Sequence, residues 1–269
     1  MPESDDESLA TAQDGGSGVD DLLASQIDYY RAHAPRYDDW WRRTGKHDLG
    51  EDYRLRWESE IAKLDVILAT FAPLGDVLEF AGGTGNWTAK LVPLSDSITV
   101  VDASPEAVAI ARSKISNPRV SWLIEDIFDH RPHRRYDIVF FSFWLSHVPP
   151  ERFDWFWDLV SQCLVPNGRV IFFDNAPPAL SRDLSEHKKL WSESTESNLV
   201  GIDSRTDLET GISSRLAADG STYDLVKIWR SPEDLESQMS ALGWAIEANT
   251  TETAFLYGHG QRMSHSIDE

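Results

Sequence analysis

The segment that most constrains how this chain can fold is VLEFAGGTGNW, which runs from Val77 to Trp87. Its apolar start predicts a buried strand, and three glycines follow within the four residues Gly82–Gly85. Glycine lets the backbone turn sharply and approach a ligand closely, and the free N–H groups at the start of a helix attract anionic groups. The segment therefore predicts a strand, a ligand-binding turn and a helix, with a plain tight turn as the alternative.

Beyond this segment, short β-rich runs alternate with helical stretches, which is typical of βαβ units around a parallel sheet. After the fifth strand the alternation stops, and it resumes near residue 231 with a helix and two closing strands. We predict a doubly wound α/β fold with a mostly parallel seven-stranded sheet whose last strand is antiparallel. The predicted strands are 76–80, 97–101, 119–124, 136–141, 169–173, 244–249 and 253–257.

Three regions are predicted along the chain. Residues 1–18 are acidic and apolar-poor, which predicts a disordered tail. Residues 19–72 form an N-terminal helical cap, with one helix at about 20–34, which Pro35 is expected to stop, and another at about 53–71. The core is 73–269, with an insertion at 176–230 that is expected to contain a helix near 181–193 and a hairpin around Asp219-Gly220.

The composition narrows the range of partners. A formal net charge of −20 argues against nucleic acid, which would be repelled. No apolar run is long enough for a membrane helix, and the N-terminus does not resemble a signal peptide. The single cysteine, Cys163, is predicted to be a core residue and fits a cytoplasmic location. The sequence leaves a monomer and a homodimer both open.

Acidic residues are expected at the same sheet edge as the glycines. Asp102 ends the second predicted strand, and Glu125-Asp126-Ile127 ends the third. Ligands of open α/β sheets bind at the carboxyl ends of the strands, where a carboxylate can accept both hydroxyls of a ribose. Asp102 could instead cap a helix, and Asp126 could be a solvated loop acid, with Glu125 as its competitor.

With these motifs the chain resembles the class I S-adenosylmethionine-dependent methyltransferases. The resemblance is to their small-molecule branch, which includes the ubiquinone and menaquinone methyltransferases (methyltransferase types 11 and 25), and it is clearest over residues 77–174. The family usually has Gly-x-Gly-x-Gly after an acid, and here Ala81 replaces the first glycine. The resemblance implies that S-adenosylmethionine is the cofactor, that Glu79 orders the loop and that Asp102 holds the ribose. The full set of cofactor-binding residues implied is Tyr30, Glu79, Ala81, Gly82, Gly83, Gly85, Trp87, Asp102, Ala103, Ser104, Asp126, Ile127 and Ser142.

The resemblance also implies methyl transfer to a small-molecule acceptor, with oxygen or nitrogen favoured over carbon. Such an acceptor can need a base, and His147, just beyond the fourth strand, is the candidate, because a neutral imidazole accepts a proton near pH 7. His147 could instead only brace its loop. Tyr37, Trp41 and Trp144 are candidates for substrate contact, with core packing as the alternative. The abundance of aromatic residues hints at an apolar or aromatic acceptor.

Asp174-Asn175 is similar to half of the metal site of catechol-type methyltransferases. Those enzymes also need an acid after the fourth strand, and Phe141-Ser142-Phe143 stands there instead. We therefore predict no metal.

Two other functions are alternatives to methyl transfer. An NAD-dependent oxidoreductase also needs a glycine turn, but its fingerprint expects Gly or Ala where this chain has Thr88. The Tyr223-x-x-x-Lys227 spacing of short-chain dehydrogenases is present, yet it falls in a predicted strand rather than a helix. The second alternative is an inactive methyltransferase-like scaffold, which would have no need of the glycine turn and Asp102.

Overall fold

The structure is a computed structural model that describes residues 15–177, 205–207, 209–217 and 220–263. Residues 1–14 of the predicted tail and the helix predicted at 181–193 lie outside the described residues. None of the described helices is both long and apolar enough to cross a membrane.

A seven-stranded sheet forms the centre of the fold, with strand order β3-β2-β1-β4-β5-β10-β9. The first five strands are parallel neighbours, and β10 pairs antiparallel with both β5 and β9. The predicted doubly wound sheet with an antiparallel last strand is confirmed. Its strands are β1 (Asp76–Phe80), β2 (Ser97–Asp102), β3 (Val120–Ile124), β4 (Tyr136–Ser142), β5 (Leu164–Asn175), β9 (Trp244–Thr250) and β10 (Phe255–Arg262).

Helices cover both faces of this sheet. Alternating residues of β4 enter two separate cores, with Val139 and Phe141 on one face and Ile138 and Phe140 on the other. Strands buried on both faces require the nearly continuous apolar runs that the sequence shows. The helices are α1 (Gly15–Arg42), α2 (Glu51–Ala69), α3 (Asn86–Leu91), α4 (Pro105–Lys114), α5 (Pro150–Cys163) and α6 (Pro232–Ala241).

A small antiparallel sheet lies against α1. It comprises β6 (Arg205–Asp207), β7 (Ile212–Leu216) and β8 (Thr222–Val226). The hairpin predicted around Asp219-Gly220 is present as β7–β8, whereas β6 was not predicted. Ser25 and Gln26 of α1 accept hydrogen bonds from the backbone N–H groups of Asp224 and Val226, at 3.1 and 3.2 Å. The first helix thus joins the small sheet to the main body.

The expectation that Pro35 stops the first helix is wrong. Helix α1 begins at Gly15, inside the predicted tail, and continues through Pro35 to Arg42. An internal proline costs a helix about 3 kcal/mol, because it removes a donor and crowds the preceding turn. Here the residues beyond it include Trp40 and Trp41, whose rings contact Trp57 and Phe143. These contacts belong to the tertiary structure, so local sequence rules do not register them.

Glu60 fastens helix α2 to the loop between β9 and β10. Its carboxylate is 3 % exposed and accepts hydrogen bonds from the hydroxyl of Thr251 and, at 3.2 Å, from the N–H groups of Thr253 and Ala254. Lys63 lies 2.7 Å from the same carboxylate. One buried side chain therefore satisfies several donors from a distant part of the chain.

We predict that Glu60→Ala lowers the free energy of unfolding by about 2–4 kcal/mol, because buried donors would lose their acceptor. Denaturant titration of the variant measures this change. Glu58→Ala, on the exposed side of the same helix, is the matched control and should change stability by less than about 0.5 kcal/mol. Equal losses in the two variants would contradict the role given to Glu60.

Candidate active site

A cavity of about 440 Å³ lies at the carboxyl edge of β1, β2 and β4, beneath helix α1 and beside the small sheet. Its volume falls in the range of small-molecule sites. Most of the residues predicted for the site line it: Tyr30, Tyr37, Ala81, Gly83, Asp102, Ala103, Ser104, Asp126, Ile127, Ser142, Trp144 and His147.

The glycine turn brings its backbone to the cavity in an unusual conformation. Ala81 and Gly83 have φ angles of 53° and 55°, in the left-handed region that glycine tolerates best. Ala81 is therefore strained at the position where the family usually has glycine. A Cβ added to Gly82 would lie 2.3 Å from Cγ1 of Val100, so only glycine fits there. The turn is shaped both by its backbone angles and by its close packing on β2.

Asp102 holds this turn in place. Its Oδ2 accepts a hydrogen bond from the N–H of Gly83 at 2.7 Å, and its Oδ1 accepts one from the N–H of Ser104 at 2.8 Å. The residue that caps α4 is Ser104, whose hydroxyl accepts from the N–H of Ala107. Asp102 is thus not the helix cap, and its carboxylate joins two loops at the cavity wall. Burial raises the pKa of Asp102.

Asp126 and Glu125 have different surroundings. Asp126 lines the cavity, and its Oδ1 accepts from the N–H of Phe128 at 2.9 Å. Glu125 instead pairs with the ring of His130 and is not part of the lining. The competition between the two acids is therefore resolved in favour of Asp126 as the acid that faces the cavity.

Five predicted site residues do not line the cavity. Glu79 lies beneath the turn, 1 % exposed, and accepts a hydrogen bond from the hydroxyl of Thr88 at 2.6 Å. Burial raises the pKa of Glu79 to about 8. Trp87 is a core residue that packs on Phe173. The remaining three are Gly82, Gly85 and Trp41, of which Trp41 packs against Trp87 and Phe143.

Asp38 of helix α1 ties the cap to the glycine turn. Its Oδ1 accepts hydrogen bonds from the hydroxyl of Thr84 at 2.7 Å and from the amide of Asn86 at 3.2 Å. Its Oδ2 lies 2.5 Å from the ammonium of Lys114. The contacts with these groups lower the pKa of Asp38 despite its partial burial. The carboxylate therefore fixes the position of the cap over the turn.

His147 belongs to a directed chain of hydrogen bonds. Its Nδ1 lies 2.6 Å from the carbonyl oxygen of Val226, which only accepts, so Nδ1 carries the proton. Its Nε2 is then the acceptor, and it lies 2.9 Å from the hydroxyl of Tyr30. Burial and the nearby charges of Lys227 and Arg215 hold the pKa of His147 well below 6.5. The ring is therefore neutral at pH 7, as a general base requires.

Sequence reasoning missed three cationic residues of the lining, Arg43, Arg215 and Lys227. Lys227 is 4 % exposed, and its ammonium donates to the hydroxyl of Ser146 at 2.8 Å and lies 3.8 Å from Asp174. Burial lowers its pKa to about 8. As expected, Tyr223 lies in strand β8 and Lys227 directly follows it, so the dehydrogenase-like spacing is not on a helix. No local sequence pattern marks Arg215 in β7 or Lys227 just after β8 as cavity residues, because the tertiary structure brings them to the cavity.

Comparison with known proteins agrees with this geometry. A family model described as a methyltransferase domain matches residues 77–168. Nodulation protein S of Azorhizobium caulinodans is 31 % identical over 100 residues, which is 37 % of this chain and 48 % of that protein. The chain thus spans about half the length of this curated relative.

Solved structures match over a larger part of the chain. A structure described as a DhpI-SAM-HEP complex is 30 % identical to this chain and superposes with a TM-score of 0.69. The match covers 94 % of this chain and 100 % of the other. The chain belongs to the S-adenosylmethionine-dependent methyltransferase family. The N-methyltransferase NodS from Bradyrhizobium japonicum WM9, solved in complex with S-adenosyl-L-homocysteine, shares the fold at 15 % sequence identity. The match has a TM-score of 0.56 and covers 88 % of this chain and 98 % of NodS.

Membership of this methyltransferase family confirms the resemblance, the fold class and the expectation of S-adenosylmethionine as the cofactor. It does not favour the oxidoreductase or the scaffold. Thr88, at the position where a dinucleotide fingerprint needs Gly or Ala, supports Glu79 through its hydroxyl. The individual site residues stay predictions.

We predict that Asp38→Ala weakens S-adenosylmethionine binding about tenfold, because the cap would lose its hydrogen bonds to the glycine turn. Calorimetric titration measures the affinity. Asp39→Ala is the control, because the neighbouring Asp39 is exposed and, within the part of the chain that the structure describes, its side chain accepts from Thr44 of the cap, at 3.3 Å. A similar effect of both variants, or no effect of either, would show that the Asp38 contacts do not support the turn.

Proposed function

We propose that this chain is an S-adenosylmethionine-dependent methyltransferase that acts on a small molecule bound in the cavity beneath α1. The observation that carries the proposal is the Asp102 carboxylate, fixed by the N–H groups of Gly83 and Ser104 at the cavity wall. Two lone-pair sites of its oxygens are used by these bonds, and a carboxylate has about four. The others are available for a pair of ribose hydroxyls.

The remaining lining residues fit the same cofactor. An added Cβ at Gly83 meets nothing within 4 Å, so the backbone of the turn is open to a ligand. Asp126 presents an acid for an adenine amino group, and the indole Nε1 of Trp144 is buried without a hydrogen-bond partner among the described residues. S-adenosylmethionine supplies an activated methyl group on a sulfonium. The protein then has to align the acceptor and exclude water.

His147 and Tyr30 are the groups we assign to proton removal from an oxygen or nitrogen acceptor. The Nε2 of His147 already accepts from the Tyr30 hydroxyl, so the imidazole acts through Tyr30. The acceptor donates its proton to the phenolic oxygen while the phenol passes its own proton to Nε2. Burial raises the pKa of Tyr30, so the phenol stays neutral at rest.

The free thiol of Cys163 is fully buried, which agrees with its predicted place in the core. We keep the proposal of a cytoplasmic enzyme whose partner is a small molecule and not nucleic acid. Its basis is the single cysteine and the net charge of −20.

We predict that Asp102→Ala weakens S-adenosylmethionine binding by about 2–3 kcal/mol, the size of lost hydrogen bonds to a charged acceptor. Calorimetry on the folded variant measures the loss. The control is Asp96→Ala, since Asp96 is exposed in the loop before β2 and should leave the affinity unchanged. Unchanged affinity in Asp102→Ala would remove the ribose assignment.

We predict that His147→Gln lowers turnover about 10²–10⁴-fold and spares cofactor affinity. Because the pKa of His147 lies well below 6.5, the imidazole of the parent enzyme is already neutral at pH 7. The rate should therefore be flat from about pH 6.5 to 7.5 and fall only in more acidic solution, as the ring gains a proton. Release of S-adenosylhomocysteine across this pH range is the measurement.

His130→Gln is the control for this variant, because His130 is equally buried but does not line the cavity. Its turnover should stay within a few-fold of the parent. Tyr30→Phe should reproduce the loss seen in His147→Gln, since it removes the hydroxyl that links the acceptor to Nε2. If a stable His147→Gln variant kept the turnover of the parent, His147 would not be the general base.

A further inference from the structure

The inner end of the cavity, next to His147, is positively charged. Arg215 of β7 and Lys227, just after β8, both line it, and we call this pair the cationic wall. The chain as a whole carries 45 acidic and 25 basic residues. A buried lysine and a half-buried arginine side by side in so acidic a protein therefore need a specific reason.

Arg215 has no carboxylate partner among the described residues. Its guanidinium lies beside the hydroxyls of Tyr29 and Tyr30 rather than beside a carboxylate. Its Cζ lies 5.5 Å from the centre of the Tyr29 ring, and its buried Nε has no hydrogen-bond partner in the described part of the chain. A guanidinium that lacks a counter-charge is costly to bury. An incoming oxyanion would supply that counter-charge and the missing acceptor.

Lys227 is only partly compensated. Asp174 lies 3.8 Å from its ammonium, beyond hydrogen-bond distance. The same carboxylate already accepts from the N–H and the hydroxyl of Ser146, at 2.7 and 2.8 Å, and from the N–H of Asn175 at 2.7 Å. Its main role is thus to hold the loop before α5. Among the described residues, the ammonium makes one full hydrogen bond, to Ser146, and the ring of Trp229 lies 4.5 Å away.

Arg43, the other arginine of the lining, also has a buried Nε without a hydrogen-bond partner among the described residues, but its guanidinium is more closely stacked on aromatic rings. Its guanidinium lies 3.3 Å from the centre of the Trp57 ring and 4.7 Å from that of Trp40. It is therefore stacked within the aromatic packing between α1 and α2. The excess positive charge that an acceptor would meet beside Tyr30 and His147 comes from the cationic wall.

Resting on the proposed function, we propose that the methyl acceptor carries an oxyanion, a carboxylate or a phosphate-type group, which binds to Arg215 and Lys227. Arg215 has a planar fork that suits the two oxygens of such a group. A neutral aromatic acceptor would cover both cations without compensating them. The aromatic side chains of the cavity then contact the remainder of an acceptor whose head is charged.

The test is calorimetry on the protein saturated with S-adenosylhomocysteine, with benzoate, its neutral isostere benzamide, and inorganic phosphate as probes. We expect benzoate or phosphate to bind at least about tenfold more tightly than benzamide, the scale of a charge-assisted hydrogen bond. Preference for benzoate identifies a carboxylate site, and preference for phosphate a site for a more highly charged head. Absence of any preference for an anion in the parent protein would overturn the proposal.

Arg215→Gln should abolish the preference for the anion while its affinity for S-adenosylhomocysteine stays within a few-fold of the parent. Arg112→Gln, an exposed arginine on α4 whose guanidinium reaches only a backbone carbonyl at 3.5 Å, is the matched control and should keep the preference. Retention of the preference in a folded Arg215→Gln variant would also overturn the proposal. Failure of the parent to bind S-adenosylhomocysteine would instead count against the proposed function itself.

Discussion

The hydrogen bond from the N–H of Gly83 to the Asp102 carboxylate is the contact on which the site depends. It joins the turn after β1 to the end of β2, and it stabilises a turn in which Ala81 adopts a left-handed conformation that residues other than glycine rarely adopt. The same carboxylate orients Ser104, which starts α4. One half-buried acid therefore fixes two loops, and the cavity lies between them.

Helix α1 closes that space and connects its parts. In the middle of the helix, Gln26 bonds to the backbone of both His147 and Val226, and Tyr30, one turn later, contacts the His147 ring. Near its end, Asp38 holds the glycine turn. A single helix thus sets the distance between the glycine turn and His147. This explains why the helix continues through Pro35, since a break there would separate Tyr30 from Asp38.

The parts of this arrangement that the sequence predicts are the local ones. The segment Val77–Trp87 contains strand, turn and helix signals within a few residues, and buried parallel strands leave continuous apolar runs. The cationic wall has no such local signal. Lys227 donates a hydrogen bond to Ser146, which lies 81 positions away in the sequence, and Arg215 is placed beside tyrosines of the distant helix α1. The same holds for Asp38, whose hydrogen-bond partners in the glycine turn lie 46 and 48 residues away. The site depends on contacts between residues that lie far apart in the sequence. Patterns within a single sequence do not reveal such contacts.

The positive charge beside His147 also affects how strong a base the imidazole is for proton removal. Lys227 and Arg215 depress the pKa of the imidazole, which keeps it neutral but also makes it a weaker base. An oxyanion bound at the cationic wall would oppose this effect, because a negative charge nearby raises the pKa of a histidine. Binding of the acceptor would then strengthen the base at the moment when it is needed. Were the oxyanion itself the atom that is methylated, no proton would have to leave, and Tyr30 and His147 would serve to orient it. The two cases differ in one respect only, which is whether the methylated atom carries a proton, and the effect of removing the imidazole separates them.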